Sequence, residues 1–342
     1  MFLIKEFEIM AINLLALEPH KIARDLSGYI TYIYGEPKTG KTTLGSQMPA
    51  PLLLAFEKGY NAIANIYAQD ITSWAEMKQV VTQLKKKEVK DTFKTVIIDT
   101  VDIAAQLCEK YVCDQNDVDT IGKIPYGGGW GLLKKEFETT FRTITQMGYA
   151  VYFISHAKEG VFKKKDGTEY SIIRPSVTNT YNSIIENLAD LYGYMHQEVQ
   201  DGVQKRVITL RSKDGSISCG GRFQYLPEEI GPTYKDLVKA LNDAIDKEAE
   251  TKGEEFVTDT AEIHIAEELN FDDLMDEFND VIGGLKRSYP DEDEFGEKIA
   301  PRIQQIVERY LGRGKKVSQC TRAQVEQLSL IVDEMNELIK NK

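Results

Sequence analysis

The run Gly35-Glu36-Pro37-Lys38-Thr39-Gly40-Lys41-Thr42 fits the spacing G-x-x-x-x-G-K-[ST]. Glycines at its two ends let backbone N–H groups converge on one point, which suits a phosphate. Lys41 has the length to reach β- and γ-phosphate oxygens, and the Thr42 hydroxyl suits a Mg²⁺ ion. Gly35, Glu36, Pro37, Lys38, Thr39, Gly40, Lys41, Thr42 and Thr43 are therefore candidate contacts for a nucleoside triphosphate, with ATP and Mg²⁺ as the expected ligands. Two positions sit awkwardly. Glu36 places a carboxylate inside an anion-binding loop and must face outward, and Pro37 removes a backbone donor.

Three further residues carry the pattern toward hydrolysis. Asp99 closes the apolar run Thr95-Val96-Ile97-Ile98 and is the expected acidic partner for Mg²⁺ beside Thr42. Glu57 closes Pro51-Leu52-Leu53-Leu54-Ala55-Phe56, where a carboxylate can orient and deprotonate water. His156 comes just after Ala150-Val151-Tyr152-Phe153-Ile154, where a polar side chain can sense the γ-phosphate.

These residues need strands to hold them. Tyr29 to Tyr34 reads as a buried strand feeding the loop, and Thr43-Leu44 opens a helix. Ser73 to Lys87, Val101 to Val112 and Leu132 to Met147 carry helical periodicity between the strands, with a polar loop from the second of these to Trp130. Alternating strands and helices imply right-handed crossovers and a parallel sheet, whose ligands bind beyond the carboxyl ends of its strands. After residue 158 the pattern becomes antiparallel. Asp166-Gly167 marks a hairpin within Gly160 to Pro175, and Ala189 to Val199, Lys205 to Arg211 and Arg222 to Tyr225 read as strands before a helix from Tyr234 to Glu250. The expected domains are an N-terminal segment 1–27, an α/β core 28–250, a linker 251–260 and a helical region 261–342 with helices at Phe271 to Leu285, Glu297 to Leu311 and Thr321 to Lys340. The apolar stripe of that last helix reads as packing surface.

Two segments combine cations with aromatics. The hairpin holds Lys158, Lys163, Lys164 and Lys165 with Phe162 and Tyr170; the glycine-rich stretch Gly122 to Trp130 holds Lys123 and Tyr126. Such residues can track a nucleic-acid backbone and stack on bases, and they can equally be a solvated hairpin and a core-anchored loop.

The net charge of −12 does not settle this. Residues 251–342 hold 12 Lys+Arg against 21 Asp+Glu, which leaves 30 against 33 for residues 1–250. The acidity belongs mainly to the C-terminal region, so charge does not exclude a nucleic acid at the core. No apolar run is long enough to span a membrane, so no membrane partner is expected. Met1 to Leu17 carries Lys5, Glu6 and Glu8 and is not a signal peptide; Met10 is an alternative start. Cys108, Cys113, Cys219 and Cys320 make no metal spacing with the four histidines and read as reduced thiols in a cytosolic protein.

Taken as an ordered set, Tyr34 to Leu44, Leu53 to Glu57, Val96 to Thr100, Tyr126 to Trp130 and Ile154 to Glu159 resemble the RecA-type core. They look most like phage-encoded RecA-like nucleotide-binding proteins, some of which anneal single strands. The resemblance spans about residues 28–250 and implies a RecA-like P-loop NTPase with a mostly parallel central sheet and a helical C-terminal appendage. It implies ATP hydrolysis with Lys41, Glu57 and His156 catalytic, Thr42 and Asp99 on Mg²⁺, and the stretch 122–130 and hairpin 158–174 on single-stranded DNA. It further implies a homo-oligomer with nucleotide at subunit interfaces, where Arg211, Lys213 or Arg222 would act in trans, in the cytoplasm of a phage-infected or lysogenic bacterium. Replication or recombination proteins are candidate partners of the acidic region, which could also mimic DNA or be a solvated appendage. A helicase loader, a small-molecule kinase and a nucleotide-dependent scaffold stand as alternatives.

Overall fold

The computed structural model of the chain describes residues 19–163, 166–200, 202–252, 257–259 and 269–340. Lys164, Lys165, the segment 1–18 and parts of the expected linker lie outside them. Two compact units divide at residues 265 and 266.

The larger unit is a three-layer α/β structure. Its strands are β1 (Ile22–Ala23), β2 (Ile30–Gly35), β3 (Pro51–Ala55), β4 (Tyr67–Asp70), β5 (Thr95–Asp99), β6 (Ala150–Lys163), β7 (Glu169–Pro175), β8 (Leu191–Gln200), β9 (Val203–Thr209), β10 (Gly220–Gly221), β11 (Glu229–Ile230) and β12 (Val257–Thr258). Its helices are α1 (Lys41–Gly45), α2 (Trp74–Leu84), α3 (Lys87–Thr92), α4 (Val101–Gln115), α5 (Gly128–Gln146), α6 (Asn179–Leu188) and α7 (Tyr234–Lys252). The main sheet runs β11-β9-β8-β2-β6-β5-β3-β4, with β7 paired to β6, β10 to β8, and β1 to β12 in a separate ribbon. The central strands β8, β2, β6, β5, β3 and β4 are all parallel. The P-loop strand therefore lies two places from the Asp99 strand, with β6 between them, in a P-loop NTPase arrangement.

The central strands are apolar on both faces because helices cover both. Tyr32, Tyr34, Leu54, Ile98 and Phe153 enter one core, where Trp74, Phe137 and Phe141 make a ring cluster with centroids 4.8 to 6.2 Å apart. Ile33, Leu53, Ile97, Tyr152 and Ile154 enter the other, against Leu44 of α1 and Leu241 and Ile245 of α7. Ser73 caps α2 by accepting from the Glu76 N–H, so that helix starts where the chain leaves the sheet.

Several elements differ from expectation. β8 runs parallel to β2, and antiparallel pairing at this end of the sheet begins only at β9. The expected strand Arg222 to Tyr225 is absent; a two-residue strand at Gly220–Gly221 takes its place on β8. β4 and α6 are additional, and α5 starts at Gly128, which puts Trp130 in its first turn. β6 does not end at Ile154 but continues to Lys163 as one arm of the β6–β7 hairpin.

The smaller unit is helical: α8 (Phe271–Ser288), α9 (Glu292–Glu294) leading through a π turn at Phe295–Ile299 into α10 (Ala300–Leu311), and α11 (Val325–Lys340). Asn270 caps α8 by accepting from the N–H groups of Asp272 and Asp273. The apolar stripe of α11, Leu328, Ile331 and Met335, packs against Leu274, Val281, Leu285, Ile306 and Val307 as a core of its own.

Candidate nucleotide site

β2 delivers Gly35 to the carboxyl edge of the sheet between Met195 of β8 and His156 of β6. A Cβ at Gly35 would lie 2.1 Å from the Met195 carbonyl oxygen, so only glycine lets β8 close on the loop. Lys38 and Gly40 turn the chain through the left-handed region, with φ of 66° and 103°. Glu36, Pro37 and Lys38 are exposed at the tip, while Thr39 is buried and its hydroxyl donates to the Glu36 carbonyl at 2.9 Å. Lys41 is buried beneath this arch. Its Nζ donates to the carbonyls of Gly35 and Glu36, each at 2.8 Å, so in the chain alone the lysine caps the loop that would receive phosphate. Burial pulls its pKa down to about 8, against the opposing pull of Asp99, Asp102, Glu57 and Glu36. An anion in the loop would relieve that cost.

The acidic side of the site comes from β5 and β3. The Thr42 hydroxyl donates to Asp99 Oδ2 at 2.7 Å. Burial pushes the Asp99 carboxyl up, its bond from Thr42 pulls it down, Glu57 pushes it up and Lys41 pulls it down. A hydroxyl and a buried carboxylate in contact, both oxygen donors, fit a Mg²⁺ that Thr42 would ligate directly and Asp99 through water, where the ion would neutralise phosphate charge.

Glu57 lies just past β3, where its backbone N–H and that of Phe56 both donate to the Asp99 carbonyl, at 3.2 and 2.7 Å. Its Oε1 accepts from the Thr100 hydroxyl at 2.7 Å, and both its carboxylate oxygens lie 3.4 Å from His156 Nε2. The structure thus brings Lys41, Thr42, Asp99, Glu57 and His156 to one edge of the sheet.

His156 is tied in turn to the hairpin beyond it. Its backbone N–H donates to Asp102 Oδ2 at 3.3 Å, and the Ser176 hydroxyl donates to Asp102 Oδ1. The Ser176 N–H donates to the His156 carbonyl at 2.8 Å. Asp102 in the first turn of α4 therefore joins the histidine to the end of the β6–β7 hairpin. His156 Nδ1 is buried with no hydrogen-bond partner among the described residues. Thr100, Asp102 and Ser176 are not singled out by sequence. The first two follow Asp99 within three residues in Asp-Thr-Val-Asp, which is a visible signal, whereas Ser176 is placed only by the return of the hairpin.

The candidate cations have varied surroundings. Lys158 is turned inward, its Nζ donating to the Ser176 carbonyl at 2.6 Å, which does not leave it free to track a nucleic-acid backbone. Burial and Arg174 lower its pKa. Lys123 pairs with Asp119 at 2.5 Å and Lys163 with Glu169 at 3.5 Å, all four exposed. Phe162 sits on β6 opposite Tyr170. Tyr126 is fully exposed at φ 59°, and Trp130 is half exposed. Of the three residues considered for action in trans, Arg222 is braced within the chain, donating to the Asn187 carbonyl at 2.9 Å and lying 3.3 Å from Asp190. Lys213 pairs with Glu228 at 2.6 Å on the surface. Arg211 is exposed.

A parallel sheet carrying a phosphate loop, with a hydroxyl–carboxylate pair beside it, defines a P-loop NTPase. The chain belongs to the AAA domain family, whose profile matches residues 27–218. It is 31% identical over 345 residues to the SPbeta prophage-derived uncharacterized protein YorG of Bacillus subtilis (strain 168), covering 96% of this chain and 99% of that protein. The crystal structure of a KaiC-like protein from Pyrococcus horikoshii OT3 overlaps 54% of this chain and 79% of its own at 12% identity and a TM-score of 0.33, too distant for any residue to be carried across. Among the described residues, no helix is long and apolar enough to cross a membrane.

Proposed function

We propose that this is a phage ATPase that acts on single-stranded DNA in recombination or strand annealing, with hydrolysis at the Lys41, Thr42, Asp99, Glu57 and His156 site. Lys41 would leave the loop carbonyls for phosphate oxygens. Glu57, held by Thr100 and His156, would accept the proton of the attacking water. Loss of phosphate would be felt by His156 and passed through Asp102 and Ser176 to the β6–β7 hairpin. In a homo-oligomer, Arg211, rather than the paired Lys213 or Arg222, would reach a neighbour's nucleotide.

The observation that carries the DNA reading is the exposure of Tyr126 and Trp130. Tyr126, Trp130 and Tyr67 are exposed aromatics, and the first two share one glycine-rich segment at the start of α5. Exposed rings beside glycines suit stacking on unpaired bases. The test is fluorescence anisotropy of a labelled single-stranded oligonucleotide. Tyr126→Ala and Trp130→Ala are each expected to weaken binding by ~1–3 kcal/mol, and wild-type binding is expected to weaken steeply with salt. Equal affinities for both variants and wild type would contradict this reading.

A second reading, an accessory ATPase that recruits a replication protein, is favoured by the separate core and acidic charge of the C-terminal unit. It predicts partner capture by the intact chain that Tyr126→Ala leaves unchanged.

A further inference from the structure

Arg206 lies on β9, opposite Gln197 of β8 and two strands from the phosphate loop. Its side chain nevertheless reaches that loop. A Cβ built on Gly40 would meet Arg206 Nη1 at 3.4 Å and Cδ at 4.0 Å, with Met195 Sδ at 4.0 Å on the same side. The residue is exposed, and among the described residues its guanidinium forms no hydrogen bond or ion pair. Arg222, Arg142 and Arg24, by contrast, each hold a carboxylate of this chain. An arginine held against the residue before Lys41 with no carboxylate of its own has a charge left to offer an anion.

The strand order says which part of a nucleotide it would meet. Asp99 on β5 and Glu57 after β3 lie on one side of β2, and they mark the metal and γ-phosphate end of the site. β8 and β9 lie on the opposite side of β2. Resting on the nucleotide-binding reading of the P-loop, we propose that Arg206 binds the nucleotide from within the same chain, at the α-phosphate end, as an affinity residue that distinguishes little between di- and triphosphate. Its contact is made equally before and after the γ-phosphate leaves, so it strengthens binding without changing the chemical step. This separates it from a trans-acting residue at the γ-phosphate, which would act on turnover.

The test is equilibrium binding of fluorescent ADP and ATP to the full-length chain, with steady-state hydrolysis measured alongside, for wild type, Arg206→Ala, Arg206→Lys and Lys41→Ala. Arg206→Ala is expected to weaken both nucleotides by a similar factor, roughly tenfold to hundredfold for one lost charge-assisted hydrogen bond. KM should rise with kcat little changed, and Arg206→Lys should recover part of the affinity. Circular dichroism of each variant checks that β9 remains folded; exposure of the side chain makes that the expected result. Unchanged affinity for both nucleotides in Arg206→Ala overturns the proposal. So does a loss of kcat with ADP affinity intact, which would place the guanidinium at the γ-phosphate. If wild type binds neither nucleotide and Lys41→Ala alters nothing, the P-loop reading itself fails, and Arg206 with it.

Discussion

At the scale of single residues the site is built around Lys41, a buried cation whose hydrogen bonds among the described residues go to two carbonyls of its own loop. Burial holds it at about 8, below the ordinary lysine value of 10.5. A bound phosphate would raise it again, so nucleotide binding is linked to proton uptake above pH 8. The sign is therefore fixed: affinity is full below about pH 8 and falls as pH rises through that value toward 10.5, by up to about tenfold per pH unit. Nucleotide Kd measured from about pH 7 to about pH 9.5 should rise for wild type, and should be weaker but flat for Lys41→Met. A flat wild-type profile would contradict the buried-lysine account. Much at this scale was legible in the sequence. Glu57, Asp99 and His156 each close or follow an apolar run that is plain to see in the sequence, and the structure gathers all three at one edge of the sheet, although Asp99 is the last residue of β5 and β6 runs on through His156. Arg206 was not legible, because its relation to Gly40 exists only once β9 has folded back on β8.

Among the elements, β6 has the widest reach. It carries sheet pairing up to His156 and then hairpin pairing to Lys163 without a break. Asp102 clamps the point where one becomes the other, by holding the His156 N–H and the Ser176 hydroxyl. Asp102→Asn replaces one acceptor oxygen by a donor that faces one of those groups. It should cost roughly 1–3 kcal/mol of stability in chemical denaturation. On the proposed function it should also reduce the ratio of turnover with single strands to turnover without, while basal hydrolysis persists. An unchanged ratio would separate the hairpin from the site. The elements that sequence missed explain themselves physically. β4 is an edge strand of four residues, Tyr-Ala-Gln-Asp, with almost no buried face to impose alternation. α6 opens on Asn-Thr-Tyr-Asn-Ser, residues that favour turns when read locally, and it becomes helical because Tyr181, Ile184, Ile185 and Leu188 bury one face. The direction of β8 is a property of the whole sheet and has no local signature.

At the scale of the molecule, the chain divides into two units, and the acidity lies mostly with the smaller. From its charge and the helical stripe at Leu328, Ile331 and Met335 the sequence reads as a linker 251–260 before a helical region 261–342, whereas β12, inside that expected linker, pairs with β1 in the larger unit. Because the C-terminal unit has its own core, Leu328→Ala should destabilise it by ~2–5 kcal/mol, seen as an earlier thermal transition, and leave nucleotide affinity at its wild-type value. A matching loss of nucleotide affinity would mean that the P-loop depends on that core. The central claim concerns the larger unit: a P-loop site whose hydrolysis answers to single-stranded DNA. Its most direct test is the steady-state rate of ATP hydrolysis by the intact chain with and without a single-stranded oligonucleotide, at low and high salt, with Lys41→Ala as the control for the site. The account predicts turnover that Lys41→Ala abolishes, that single strands stimulate, and whose stimulation fades as salt rises. Turnover that is the same with and without DNA at low salt would contradict it.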